Sequence, residues 1–172
     1  CQIDYNQDIV FNPPTAPIID DVQPTNISDC NAADGSITII ASGDDALQYS
    51  IDGGNTWQNS NIFMGLDEGD YDVVVRNADG SCPISYNSTI SLISPLAPSL
   101  VSINTTDPSD CDQVDGVIII NVSDGTGTYL FSIDNGDTWF NNDGIFSGLA
   151  GGNYQIAIQN SNGTCTVFAP NG

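Results

Sequence analysis

Histidine and lysine are absent from this 172-residue chain, and Arg76 is its only basic side chain. Against it stand 22 acidic residues, for a formal charge of −21. Nucleic acid is thereby excluded as a partner, because nothing in the chain neutralises phosphates. Nucleophile-and-base catalysis is excluded too, since no histidine or lysine is there to take the proton. The five cysteines show no Cys-x-x-Cys spacing. Without histidine a zinc site lacks its ligand set. No run of 18 apolar residues occurs, so no membrane insertion is expected, and no leader segment is visible. No glycine-rich phosphate loop precedes a helix. The chain therefore reads as non-enzymatic and free of organic cofactors, with calcium the one ion its oxygen-rich loops suggest.

What is present is a repeat. Cys1, Ile3, Tyr5 and Asn6 lie over Cys82, Ile84, Tyr86 and Asn87, and the register continues through Ile9/Ile90, Pro14/Pro95, Pro17/Pro98 and Cys30/Cys111. Cys82 in turn matches Cys165. Two copies of one unit account for the chain: 14–94 is the first repeat, 95–172 the second with its final strand cut short, and 1–13 the last strand of a preceding repeat. The chain is accordingly expected to be a window on a longer polymer, covalent or assembled. Chains that repeat a whole domain span distance or multiply weak contacts.

Units this small have modest cores and gain from covalent cross-links. Each copy supplies one pair of cysteines, so Cys30 is expected to bond Cys82, and Cys111 to bond Cys165. Closing loops of that length stabilises a domain by about 4 kcal/mol in the chain-entropy model. Cys1 is then left to pair with a preceding repeat or subunit, or to be the lipidated first residue of a lipoprotein. Such bridges persist in oxidising surroundings, which points to export.

Glycine, asparagine, aspartate and β-branched residues interrupt every candidate helix. Strands are expected over 18–22, 36–42, 48–51, 56–58, 62–66, 71–77 and 81–93. In the second copy they fall over 117–123, 130–133, 138–140, 145–149, 154–159 and from 164 onward. Turn dipeptides such as Asp34-Gly35, Gly53-Gly54, Asn135-Gly136 and Asn162-Gly163 separate them. About seven short strands with one disulfide describe an immunoglobulin-like sandwich. The fold class is all-β: two tandem immunoglobulin-like β-sandwich domains, each with one intradomain disulfide. Tyr71, Val73, Val75, Tyr154, Ile156 and Ile158 alternate onto one face. They are expected to form the cores with Trp57, Trp139, Ile37, Ile39, Ile118 and Ile120. Between copies lies a proline joint, Pro13-Pro14-Thr15-Ala16-Pro17 and Pro95-Leu96-Ala97-Pro98. Proline fixes φ and removes donors, so the joint resists bending and is not expected to pair inside a sheet.

Two motifs recur. Ser50-Ile51-Asp52-Gly53-Gly54-Asn55-Thr56-Trp57 and Ser132-Ile133-Asp134-Asn135-Gly136-Asp137-Thr138-Trp139 resemble the Asp-box of sialidases. There the aspartate bonds turn amides, the glycine takes a positive φ and the tryptophan packs beneath, so Ser50, Asp52, Gly54 and Trp57, with Ser132, Asp134, Gly136 and Trp139, are structural hairpin residues. A lone arginine cannot grip a sialic carboxylate as a sialidase does. The second motif places Asp29, Asn31 and Asp34, and again Asp110, Asp112 and Asp115, in a loop ending in glycine. Oxygens at that spacing make a candidate calcium loop, with turn capping as the alternative.

Cys30–Thr38, Tyr49–Gly54, Gly65–Tyr71 and Asn77–Cys82, with the counterparts Gly148–Tyr154 and Asn160–Cys165, resemble the SprB repeat. That family comprises immunoglobulin-like units strung in arrays on secreted surface proteins, gliding adhesins among them. The resemblance implies an extracellular or cell-surface location and a non-enzymatic structural or adhesive role in a filament or adhesin stalk. Neighbouring repeats of the same protein would be its partners, and surface glycans a candidate target. Two alternatives stand beside it. One is a carbohydrate-binding or accessory module of a secreted enzyme, with the tryptophans on glycan. The other is a filament subunit assembled by strand addition through 1–11.

Overall fold

The computed structural model describes residues 13–170. Cys1 and the segment before Pro13, with the roles expected of them, lie outside the described residues. No helix occurs among the described residues, so none is long and apolar enough to cross a membrane. In chain order the strands are β1 Ile18–Thr25, β2 Gly35–Ser42, β3 Leu47–Ser50, β4 Ile62–Leu66, β5 Gly69–Tyr71, β6 Val74–Asn77, β7 Ile84–Ser85 and β8 Ile90–Leu92. They continue as β9 Pro98–Thr106, β10 Gly116–Asp124, β11 Tyr129–Ser132, β12 Ile145–Leu149, β13 Ala157–Asn160 and β14 Val167–Phe168.

The chain forms two compact units. The first holds 13–25, Ser36–Met64 and Gly69–Leu92; the second holds Asn26–Gly35, Gly65–Glu68 and 93–170. Two segments that the repeat assigns to the first copy thus cluster with the second unit.

Sheet order is β1-β2-β4, β3-β6-β7 and β5-β8, then β12-β10-β9 and β11-β13-β14. The assigned strand pairs are antiparallel. In the second unit Ile118 and Ile120 of β10 and Phe146 of β12 pack with Phe131 of β11, Ile158 of β13 and the preceding Ile156. One cluster is filled from both sheets, the signature of an immunoglobulin-like sandwich. The first unit repeats the pattern, with Ile37, Ile39, Val73 and Val75 almost wholly shielded from solvent. Alternation alone dictates this: in β2, Ile37 and Ile39 turn inward while Thr38 is half-buried between them.

Two features depart from the strand reading. Residues 56–58 and 138–140 are single bridges, Tyr49 to Gln58 and Phe131 to Phe140, because the Asp-box turns use up the backbone around them. The 71–77 strand breaks after Tyr71, and the 81–93 strand breaks between β7 and β8. At both breaks the chain changes sheets, so β6 pairs with β7 while β5 pairs with β8. Pro98 opens β9 opposite Asp124, in keeping with the expectation that the joint does not pair as an interior strand. The strand lies at the sheet edge, where a missing donor costs nothing. Both edge strands carry the same one-residue bulge, at Asp20 in β1 and Val101 in β9. Such a bulge twists an edge away from further pairing.

Candidate functional site

The loop Asn26–Gly35 carries a backbone turn, with the Ala32 amide donating to the Asp29 carbonyl at 3.1 Å. Aspartate ahead of the turn caps it: the Cys30 amide donates to Asp29 Oδ1 at 2.7 Å. Behind it the Ser28 amide and hydroxyl both donate to the Asp34 carboxylate. That bonding, the hydroxyl first, holds the Asp34 carboxyl below its ordinary pKa. The loop is thus shaped by its own side chains, and it presents the Cys30 sulfur outward.

Cys30 bonds Cys165, with the Cα atoms 5.1 Å apart across a sequence separation of 135 residues. The two sulfurs lie 3.0 and 3.6 Å from the carbonyl oxygen of Pro95, in the proline joint. Asp29 Oδ1 also accepts from the Cys165 amide at 2.6 Å. This corrects the expected Cys30–Cys82 and Cys111–Cys165 pairs: the bond joins a first-copy cysteine to a second-copy one, and Cys82 and Cys111 are free thiols. The fold separates the two cysteines of one copy. Cys82 Sγ sits 3.6 Å from the Pro14 carbonyl in the joint before the first repeat, whereas Cys30 lies on Pro95 in the joint after it. The two cysteines of one copy serve different joints, and equal spacing in sequence concealed that. Closing 135 residues is worth about 5 kcal/mol in the chain-entropy model.

Two asparagines that carried no assigned role in the sequence fasten the joints. Asn160, fully buried, donates from Nδ2 to the Leu96 carbonyl at 3.0 Å and to Thr164 Oγ1 at 3.2 Å, while its Oδ1 accepts from the Thr126 amide at 3.0 Å. Asn77 does the same in the first unit, donating to the Thr15 carbonyl at 3.0 Å and Ser81 Oγ at 3.1 Å. A proline-rich segment offers carbonyls but few donors, so a buried side-chain amide is what satisfies it. The signal lay in the shared Asn-x-x-x-Ser/Thr-Cys spacing of 77–82 and 160–165.

The Asp-box residues form a hydrogen-bonded hairpin in each copy. Ser50 Oγ donates to Asp52 Oδ1 at 2.7 Å and accepts from the Gly54 amide at 2.9 Å. Asp52 further accepts from the Asn55 and Thr56 amides, each at 2.9 Å, and from the Thr56 hydroxyl at 2.5 Å. Trp57 Nε1 donates to the Gly54 carbonyl at 2.8 Å. Ser132, Asp134, Gly136 and Thr138 repeat the network. These bonds favour the carboxylate form, from Thr56 first for Asp52 and from Ser132 first for Asp134, and hold both carboxyls at about 2. Arg76 lies 3.9 Å over the Trp57 ring and bonds Gln48 Oε1 through Nε and Nη2. Trp57 is therefore held on its edge and one face by protein. Beside the second hairpin lies an open depression of about 690 Å³, lined by Asp134, Asp137, Phe140 and Tyr154 but not by Trp139.

Of the candidate calcium ligands, Asp34 and Asp115 cap Ser28 and Ser109, and Asp29 and Asp110 cap the cysteine amides. Among the described residues, the group of His, Cys, Asp or Glu close enough to share an ion is Asp29, Cys30 and Cys165, whose sulfurs are spent in the disulfide. Asp34, Asp110, Asp112 and Asp115 join no such group. Asn31 and Asp112 are exposed.

No family model matches the chain, and no match is found among curated proteins. Among solved structures, extracellular domains 3–5 of Drosophila OTK are similar at 17% identity and a TM-score of 0.35, over 85% of this chain and 58% of that one.

Proposed function

We propose that this chain is a non-enzymatic structural repeat of an extracellular filament or adhesin stalk. The observation that carries the reading is the Cys30–Cys165 bond, which ties a loop of the first copy covalently to the second and rests on the proline joint. Under load such a link limits how far the chain between the two cysteines can extend. The disulfide supports export, because structural disulfides persist in oxidising compartments. The likeness of the repeat motifs to SprB repeats supports the surface-adhesin form of the reading, with neighbouring repeats as partners. A count of free thiols in the native protein, taken with its mass under reducing and denaturing conditions, tests it. Oxidised Cys30 and Cys165 with a mass far above 18.1 kDa supports a tandem array. Fully reduced cysteines in the native protein refute it.

A carbohydrate-binding module is the second reading, favoured by the exposed Phe140 and the half-buried Tyr154 in the depression beside the second hairpin. Phe140→Ala abolishing retention on an insoluble polysaccharide would support it; no retention by the parent chain would remove it.

A further inference from the structure

The two free thiols occupy the two halves of a joint that the chain builds once in full. The loop half consists of Asp29, Cys30, Ala32, Ser28 and Asp34, and each of its bonds has a counterpart around Cys111. The Cys111 amide donates to Asp110 Oδ1 at 2.7 Å, matching 2.7 Å at Cys30. The Gln113 amide donates to the Asp110 carbonyl at 3.1 Å, matching 3.1 Å at Ala32. The Ser109 amide donates to Asp115 Oδ1 at 2.9 Å, matching 2.9 Å at Ser28. Among the described residues the loop around Cys111 therefore holds its bonded shape with no disulfide on it, and Cys111 is exposed.

The strand half is repeated just as closely. Cys165 and Cys82 both take the left-handed backbone, at φ 59° and 52°. That conformation is strained for a non-glycine residue, yet it appears at both positions. Cys165 Sγ and Cys82 Sγ each lie 3.6 Å from the carbonyl of an equivalent proline, Pro95 and Pro14. Asn160 and Asn77 clamp the equivalent joint carbonyls, each at 3.0 Å. Cys165 is buried under its partner loop, while Cys82 remains part-exposed.

We infer that Cys111 of one copy of this chain bonds Cys82 of the next, reproducing the Cys30–Cys165 joint between molecules or successive segments. Asp110 then accepts the amide of the incoming Cys82, as Asp29 accepts that of Cys165. The oxidant is a disulfide, of a protein or of glutathione. The Cys111 sulfur attacks it, forming a mixed disulfide and releasing one thiol. The Cys82 sulfur then displaces the second thiol. Two electrons pass to the oxidant's sulfurs, and the two cysteine protons leave on the released thiols.

This pairing gives an array two interleaved covalent routes. One route runs the 29 residues from Cys82 to Cys111 and the other the 29 from Cys1 to Cys30, and each then crosses a sulfur bond to the following repeat. Fully pulled out, either stretch spans about 100 Å for every two copies, where the uncrossed chain would span roughly 570 Å.

The inference rests on the array reading, and the test separates them. In a Cys1→Ser background, Cys82→Ser and Cys111→Ser chains are incubated with oxidised glutathione singly and as an equimolar mixture. Each alone is expected to stay near 18.1 kDa, and the mixture to give a reductant-sensitive species of twice that mass, with Cys82 linked to Cys111 in its peptide map. Asp110→Ala in the Cys111-bearing partner is expected to slow its formation several-fold. Retention of Cys30–Cys165 in each variant, read by alkylation mass, verifies the fold, and a peptide map of the oxidised parent chain gives the same answer without substitution. Symmetric Cys82–Cys82 or Cys111–Cys111 dimers forming as fast as the mixed one, an intramolecular Cys82–Cys111 bond, or no cross-link at all would overturn the joint. If the mixed dimer forms but the native protein is not an array, the array reading fails and the pairing stands.

Discussion

The Asp29 carboxylate accepts the amides of both bonded cysteines, Cys30 at 2.7 Å and Cys165 at 2.6 Å, through one oxygen. The residue that shapes the loop also receives the strand, so one carboxylate aligns both sides of the disulfide. Asp29→Ala is expected to lower stability by about 1 kcal/mol, the usual net worth of a hydrogen bond near the surface. Thermal unfolding under reducing and non-reducing conditions checks it. The loss is expected in both, since the carboxylate acts whether or not the sulfurs are joined.

Asn160 is the second anchor: its side chain is fully buried, and its removal takes from the Leu96 carbonyl and the Thr126 amide, in a part-buried site, the amide that both of them bond. Asn160→Ala is expected to cost about 2 kcal/mol, the net worth of the two hydrogen bonds to the joint at about 1 kcal/mol each. The shift in denaturant midpoint at unchanged slope measures it. Asn77→Ala is expected to act likewise in the first unit.

The hairpin aspartates make stability depend on acid. Their folded pKa of about 2 lies below the ordinary value of 3.8, so their contribution is full above about pH 4 and is lost as pH falls through 2. Melting temperature is therefore expected to hold between pH 7 and about 4 and to fall below it. Asp134→Asn melts lower than the parent at pH 7, and the gap narrows between pH 4 and 2. A gap that widened on acidification would contradict the assignment.

Gly136 sits at φ +89°, where an added Cβ would stand 3.2 Å from the Trp139 ring. Gly136→Ala is expected to destabilise the second unit by about 1–2 kcal/mol, through backbone strain and displacement of the ring. Tryptophan fluorescence should report the displaced indole in the folded state.

How far the sequence could be read depends on whether a feature is local. The inward faces of Ile37, Ile39, Ile118 and Ile120 follow from period-two alternation, and the Asp-box bonds follow from eight contiguous residues. The sheet changes at Asp72 and after β7 were not legible, because they depend on which strand lies alongside, and alternation is blind to that. The cysteine pairing failed for a related reason. Equal spacing within each copy favours Cys30–Cys82, while the choice is made by the Pro14 and Pro95 carbonyls on which the sulfurs rest. Asn77 and Asn160 share their spacing to the cysteines, which marks them as equivalent, but which carbonyl each amide reaches, more than 60 residues earlier, is not written in that spacing.

The most direct test of a covalently tied, load-bearing repeat is to stretch single chains by their ends with and without reductant. With Cys30 bonded to Cys165, the account predicts that reduction releases 135 hidden residues in one step, about 470 Å of added length. Two separate releases of roughly 180 and 190 Å, the lengths set by Cys30–Cys82 and Cys111–Cys165 pairs, or no change on reduction, would contradict it.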